Sequence, residues 1–435
     1  MAPLNSTLPY NASDLSGLSH GWMPQPQGRG TFSILWSGIT TIFLCSWTVL
    51  CLNIPEPGMG RWGFLGYKLR WQLFAIIFPE VIAGMAAEQW ASANQSVQKF
   101  RKLGYPQWTM RHAFFADMGG FMLESPDVPP FPVDGEQLAY LIERKYLQYP
   151  IVHEETIWDR NKADGFARLV TSVQITWFFI QCLARWAQGL SLSTLEITTF
   201  ATIVATLNSL YFWYHKPLDV ETPIILRTDS RIANILIDAG DRAREPYSRT
   251  PLDFLKSPPV RTSLVAPFWF GMGVVVNFEE ESRSRPIRRF GNCKTRPPAG
   301  ITIQETIYGL LFEFVYFGIH LVGWNQLFPT RAELCLWRVS SLVLLGLLIT
   351  YLITIVVGIV LSRPVSRRWL AREVDTPLEV AAQLPRWAQL IIHVPILSAY
   401  LSARAYILLE GFISLRDLPL KTYVDITWTN FLPHL

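Results

Sequence analysis

Residues 31 to 53, TFSILWSGITTIFLCSWTVLCLN, contain no charged side chain. A helix needs roughly 20 apolar residues to cross a hydrocarbon core, and only helices or closed barrels satisfy backbone polar groups in lipid. This run commits the chain to a bilayer. Composition agrees: half of the residues are hydrophobic and 17% are charged, against about a quarter in soluble domains. Barrel strands alternate in ten-residue segments, whereas the apolar runs here are continuous. The expected fold class is all-α, a polytopic transmembrane helical bundle with two polar extramembrane insertions.

The chain divides into a polar tail (1–30), spans one and two (31–90), a first polar insertion (91–168), spans three and four (169–214), a second polar insertion (215–262), spans five to eight (263–403) and an amphipathic tail (404–435). Span two is expected over 71–90, and Asp164 is placed to cap span three. Segment 263–278 is short enough for a re-entrant hairpin, so seven spans is the alternative to eight. The polar tail before the first run points to a retained anchor rather than a cleaved signal.

Lys and Arg favour short cytoplasmic loops. With both termini lumenal, Arg61, Lys68, Arg70, Arg185, the run Arg283 to Arg296 and the run Arg363 to Arg386 fall on the cytoplasmic side. Both insertions and the glycosylation sequons at Asn5, Asn11 and Asn94 then face the lumen, where they can be modified. The expectation is a multi-pass glycoprotein of the endoplasmic reticulum or another secretory-pathway membrane. The net charge of +4 collects beside spans and points to no nucleic acid. Five cysteines without CxxC spacing indicate neither a disulfide framework nor a metal, and no cofactor is expected. The expected partners are the lipid bilayer and a lipophilic small molecule, with protein partners left open.

Ionisable residues inside spans are costly and mark cavities or partners. Glu80, Glu313 and His320 fall there, with Glu88 near the end of span two. Glu313 and His320 are seven apart, which a helix sets on one face within about 20°. Each is read either as a proton donor or acceptor for an apolar substrate or as an interhelical hydrogen bond. His112 and Asp117, in RHAFFADMGGFML, are about 140° apart on a helix. They form an acid/base pair only if the backbone turns between them; otherwise they bond local backbone beside Gly119 and Gly120. In WYHKPLD, His215, Lys216 and Asp219 meet at one membrane face, while Pro217 opposes a continuous helix. They are either a functional group or the structured exit from span four. No DDxxD, GxSxG, HExxH, P-loop or GxGxxG motif is present.

The blocks HAFFADMGGF, KADGFAR, WYHKPLDV, GWNQLFPTRAELCLWR and ARAYILLEGFISLRDLP run from the first insertion to the C-terminal tail. Together they resemble the recurring blocks of a large fungal family of polytopic membrane proteins, over nearly the whole chain. Some members of that family resemble proteins encoded beside secondary-metabolite genes. The resemblance implies a fungal source and brings no catalytic residue with it.

Two function classes follow. One is a membrane enzyme or accessory factor in secondary-metabolite biosynthesis, a cyclase or isomerase that protonates a lipophilic, terpenoid-like substrate. Its acid would be Glu80 or Glu313, assisted by His320, His112 or Asp117. The other is a non-enzymatic transporter, receptor or scaffold of the endomembrane system.

Overall fold

The computed structural model describes residues 17–19, 21–24, 29–159, 165–255, 266–276, 284–292, 303–369, 381 and 383–427. Asn5, Asn11 and Asp164 lie outside the described residues. The chain is mostly helical. Among the described residues five helices are long and apolar enough to cross a membrane, and a sixth candidate is a bent pair. This is compatible with a membrane protein.

Helix α1 (Thr31–Val49) covers the first charge-free run. Span two is not one helix. α2 (Arg61–Ile77) and α3 (Pro79–Lys102) meet at Phe78 and are bent by 108°. Pro79 explains the break: it opens α3 at a position where its missing N–H leaves no bond unmade, yet it cannot continue α2. In the first insertion follow α4 (Met110–Asp117), β1 (Phe121–Glu124), β2 (Phe131–Val133), α5 (Gly135–Glu143) and α6 (Glu154–Asp159). α7 (Gly165–Ala187), the expected span three, is long enough but not apolar enough to count among the five; its Leu169, Val173, Trp177 and Trp186 are nevertheless exposed.

α8 (Thr194–Phe212) starts in a Ser193–Glu196 capping box. Its threonine hydroxyls at 198, 199 and 202 bond back to carbonyls four residues earlier, which removes their polarity from the apolar surroundings. The second insertion supplies β3 (Ile224–Arg227) and α9 (Ile232–Ala239). The described α10 (Ala266–Val276) has 11 residues, about 16 Å at the helical rise. α11 (Ile303–Ile319) runs into a 3-10 turn at His320–Asn325. α12 (Arg331–Trp369) and α13 (Arg386–Ile413), with Pro395 inside it, complete the bundle.

The two insertions form one body. β1 pairs antiparallel with β2 and parallel with β3, so a three-stranded sheet of order β2-β1-β3 joins chain segments some hundred residues apart. This mixed sheet adds to the expected all-α class. Phe114, Phe115, Phe121, Leu138, Leu226, Ile235 and Leu252 share its core. Across the seam, Asp127 accepts the Ile232 and Ala233 amides at the start of α9, each at 2.9 Å.

Contacts between helix ends divide the bundle into two ends. At one, the Ser19 and Gly21 amides bond the carbonyls of Leu418 and Arg416, just beyond α13. There too Arg29 pairs with Glu196 at the start of α8, and Arg416 with Glu333 at the start of α12. Arg185, near the end of α7, donates to the carbonyls of Lys421, Thr422 and Val424. At the other end, Lys216 beyond α8 reaches Asn53 beyond α1, and the Tyr308 hydroxyl near the start of α11 bonds Asn208 near the end of α8. The insertions sit at this second end, opposite the terminal segments.

Candidate functional site

α3 and α11 face one another along two stripes whose residues recur every three or four positions. From α3 come Glu80, Ala83, Gly84, Ala87 and Ala91, and from α11 Gly309, Phe312, Glu313 and Tyr316. Small side chains on α3 leave a partly open cleft between the helices. Ala83, Gly84, Ala87, Ala91, Gly309 and Phe312 give it a mainly apolar wall; Glu88, Glu305 and Glu313 bring carboxyl groups to it. Glu313 is 8% exposed and lies within electrostatic reach of Glu80, one turn deeper.

Beyond Glu313 the stripes end in a buried polar cluster at the α2–α3 break. Glu80 accepts the Tyr400 hydroxyl from α13 through Oε1. Arg404, one turn further along α13, spends its Nε–H on the Ile77 carbonyl, the last of α2, at 2.8 Å. Its guanidinium lies 5.7 Å from the Tyr316 ring centre. Tyr316 meets the His320 ring edge to face at 5.8 Å, and the Trp337 indole N–H donates to the His320 carbonyl at 3.1 Å.

Most polar atoms of this cluster have no hydrogen-bond partner among the described residues: Glu80 Oε2, the Tyr316 hydroxyl, both His320 ring nitrogens, and Arg404 Nη1 and Nη2. The Tyr316 hydroxyl points toward Glu80 without reaching hydrogen-bond geometry. Buried polar groups are normally satisfied, so such a concentration makes this cluster the candidate functional site.

Glu80, Glu313 and His320 therefore do come together. Arg404 was missed because an expected span eight ending at 403 places an arginine at 404 outside the membrane, and Tyr316 and Tyr400, although inside expected spans, carry no charge to mark them. α13 runs on to Ile413, and the charge within that apolar helix was the available signal.

The other candidates do not join the site. His112 closes a capping box with Thr109, and Nε2–H donates to the Val152 carbonyl at 2.8 Å. Burial pushes its pKa below the ordinary value, while the bond to Val152 pulls the other way. Asp117 accepts the Ser92 hydroxyl at 2.7 Å and the Gly135 amide at 3.4 Å. The two hold different neighbours, and the turn follows Asp117: Gly119 sits at φ +86°, and a Cβ on Gly120 would lie 2.4 Å from the Phe115 ring.

His215 is exposed against Tyr214, Lys216 is buried and donates to Gln89 at 2.8 Å, and Asp219 pairs with Lys68 at 2.7 Å. These three brace the insertions on the bundle in separate places. Asn94 lies inside α3, half buried, and the hydroxyl of its sequon partner Ser96 accepts the Trp108 indole N–H.

No match was found among curated proteins or among solved structures. The model of a family of unknown function (DUF8562) matches residues 7–237 and 310–435, and the chain belongs to that family.

Proposed function

We propose that the protein is an integral membrane protein that binds a lipophilic small molecule in the α3–α11 groove and exchanges a proton with it through Glu313. The observation that carries this reading is the double position of Glu313: it lines the apolar cleft and senses Glu80 in the polar cluster. A carboxyl group held against an apolar ligand and backed by a polar relay is suited to protonating a double bond or an epoxide. Aromatic faces such as Phe312 stabilise the cation that forms. The reaction class is isomerisation or cyclisation of a terpenoid-like substrate in fungal secondary metabolism. The test is a deletion strain complemented with native protein or with Glu313→Gln. The expected result is loss of one lipophilic product and accumulation of its precursor, rescued by the native chain alone. Equal rescue by both would remove the basis of the proposal.

A second reading, proton-coupled transport, is favoured by the helix break, since transporters bind substrate at discontinuous helices near mid-membrane. Vesicle uptake that Glu313→Gln abolishes without any new product would select it.

For topology we infer six crossings, by α1, α7, α8, α11, α12 and α13, with α2–α3 and α10 entering and leaving on one side. Two facts support this. The bend between α2 and α3 exceeds a right angle, and α3 leads into the same end of the bundle from which α2 departs. The N- and C-terminal segments bond each other, which requires an even number of crossings between them. The stretch 363–386, from the last turns of α12 to the first residue of α13, holds five arginines, whereas 188–193, between α7 and α8, has no basic residue. That bias puts the insertions in the cytoplasm and the termini in the lumen. This keeps the expected side for the termini and moves both insertions, with Asn94, to the opposite one.

A further inference from the structure

The inner end of the groove has the chemistry of a carboxylate receptor, and we propose that the natural ligand is a carboxylate-bearing lipophile whose head is held by Arg404 and Tyr316 while its chain lies in the groove. The inference rests on the groove reading above and deepens it. Arg404 is fully buried and uses only Nε–H, which leaves both Nη groups of its planar fork without a partner. That fork matches the two oxygens of a carboxylate in bidentate geometry. The Tyr316 hydroxyl, also buried and unpartnered, supplies a third donor beside it.

Competing head groups fit less well. An alcohol offers one oxygen and leaves one Nη idle. A phosphate dianion brings two negative charges to a single guanidinium that already faces Glu80. Buried polar clusters that only bind helices together normally satisfy their own atoms. Gly84 and Glu313, which line the cleft, each lie one helical turn from Glu80 and Tyr316.

The test uses the full-length protein in phosphatidylcholine nanodiscs and quenching of its tryptophan fluorescence by 11-bromoundecanoic acid or 11-bromoundecanol. These probes share a chain and differ in the head. The acid is expected to bind at least about tenfold tighter than the alcohol, the factor set by one hydrogen bond to a charged group. Tyr316→Phe and Arg404→Lys are each expected to reduce that preference toward parity. Because its hydroxyl meets Glu80 only outside strict hydrogen-bond geometry, Tyr316→Phe should change the melting temperature of the ligand-free protein little. This keeps the test valid if Arg404→Lys fails to fold through loss of the Ile77 bond.

Equal affinity for acid and alcohol, with both lost in Gly84→Leu, would overturn the carboxylate assignment and leave the groove reading intact. Absence of saturable binding by either probe would overturn both. A Tyr316→Phe protein that melts lower and keeps the preference would assign Tyr316 a structural role and overturn its part in the proposal.

Discussion

His112 shows how a residue that looks catalytic in sequence becomes structural once its neighbours are known. Its Nδ1 accepts from Thr109 and its Nε2–H donates to Val152, so the ring is needed neutral in one tautomer. Because burial lowers its pKa in the folded state, the unfolded chain binds this proton more readily. The stability that His112 contributes is fully present above its ordinary value of 6.5 and is lost as pH falls below it toward the folded pKa. Thermal melts of the purified protein should therefore fall from pH 7 to pH 5, and His112→Gln should flatten that dependence. His112→Ala at pH 7 should cost about 1–2 kcal/mol, the range for losing a cap and a buried hydrogen bond. A pH profile identical in native protein and His112→Gln would contradict this role.

At the scale of elements, much was legible where a helix is long. α1, α8, α11, α12 and α13 coincide with apolar runs, because a 20-residue run has few other solutions in lipid. Pro79 was visible as well, but its consequence was not: a proline that opens a helix and one that kinks a continuous span read alike. The sheet was hidden for another reason. FMLE, FPV and IILR are three or four residues long, below the length at which alternation registers, and the β1–β3 pairing is set by contacts far apart in sequence. The site was half legible: intramembrane charge marked Glu80, Glu313 and His320, whereas Arg404 depended on where α13 ends. Asp127 tests the seam between the insertions. Asp127→Ala removes the acceptor of two α9 amides and should cost about 1 kcal/mol. Amide hydrogen exchange should quicken in α9 with α4 and α5 unaffected; uniform exchange rates across all three would show that the cap does not fasten the seam.

At the scale of the whole molecule, the groove's geometry follows from one architectural feature, the α2–α3 pair that enters the bundle and turns back at Phe78. The turn brings the Ile77 carbonyl and Glu80 to Arg404 and Tyr400 in mid-bundle and lets the small-residue face of α3 stand against α11. If α2–α3 crossed instead, the first insertion would share a side with the terminal segments, against the contacts that join Lys216 to Asn53 and Gln89 at the far end. The measurement that tests this most directly is endoglycosidase digestion of the protein expressed in yeast, comparing the native chain, Asn5→Gln with Asn11→Gln, and Asn94→Gln. The account predicts a mobility shift in the native chain that the tail double variant abolishes and Asn94→Gln leaves unchanged. Shifts contributed by both the tail sites and Asn94 would place the first insertion on the same side as the tail and contradict the re-entrant architecture.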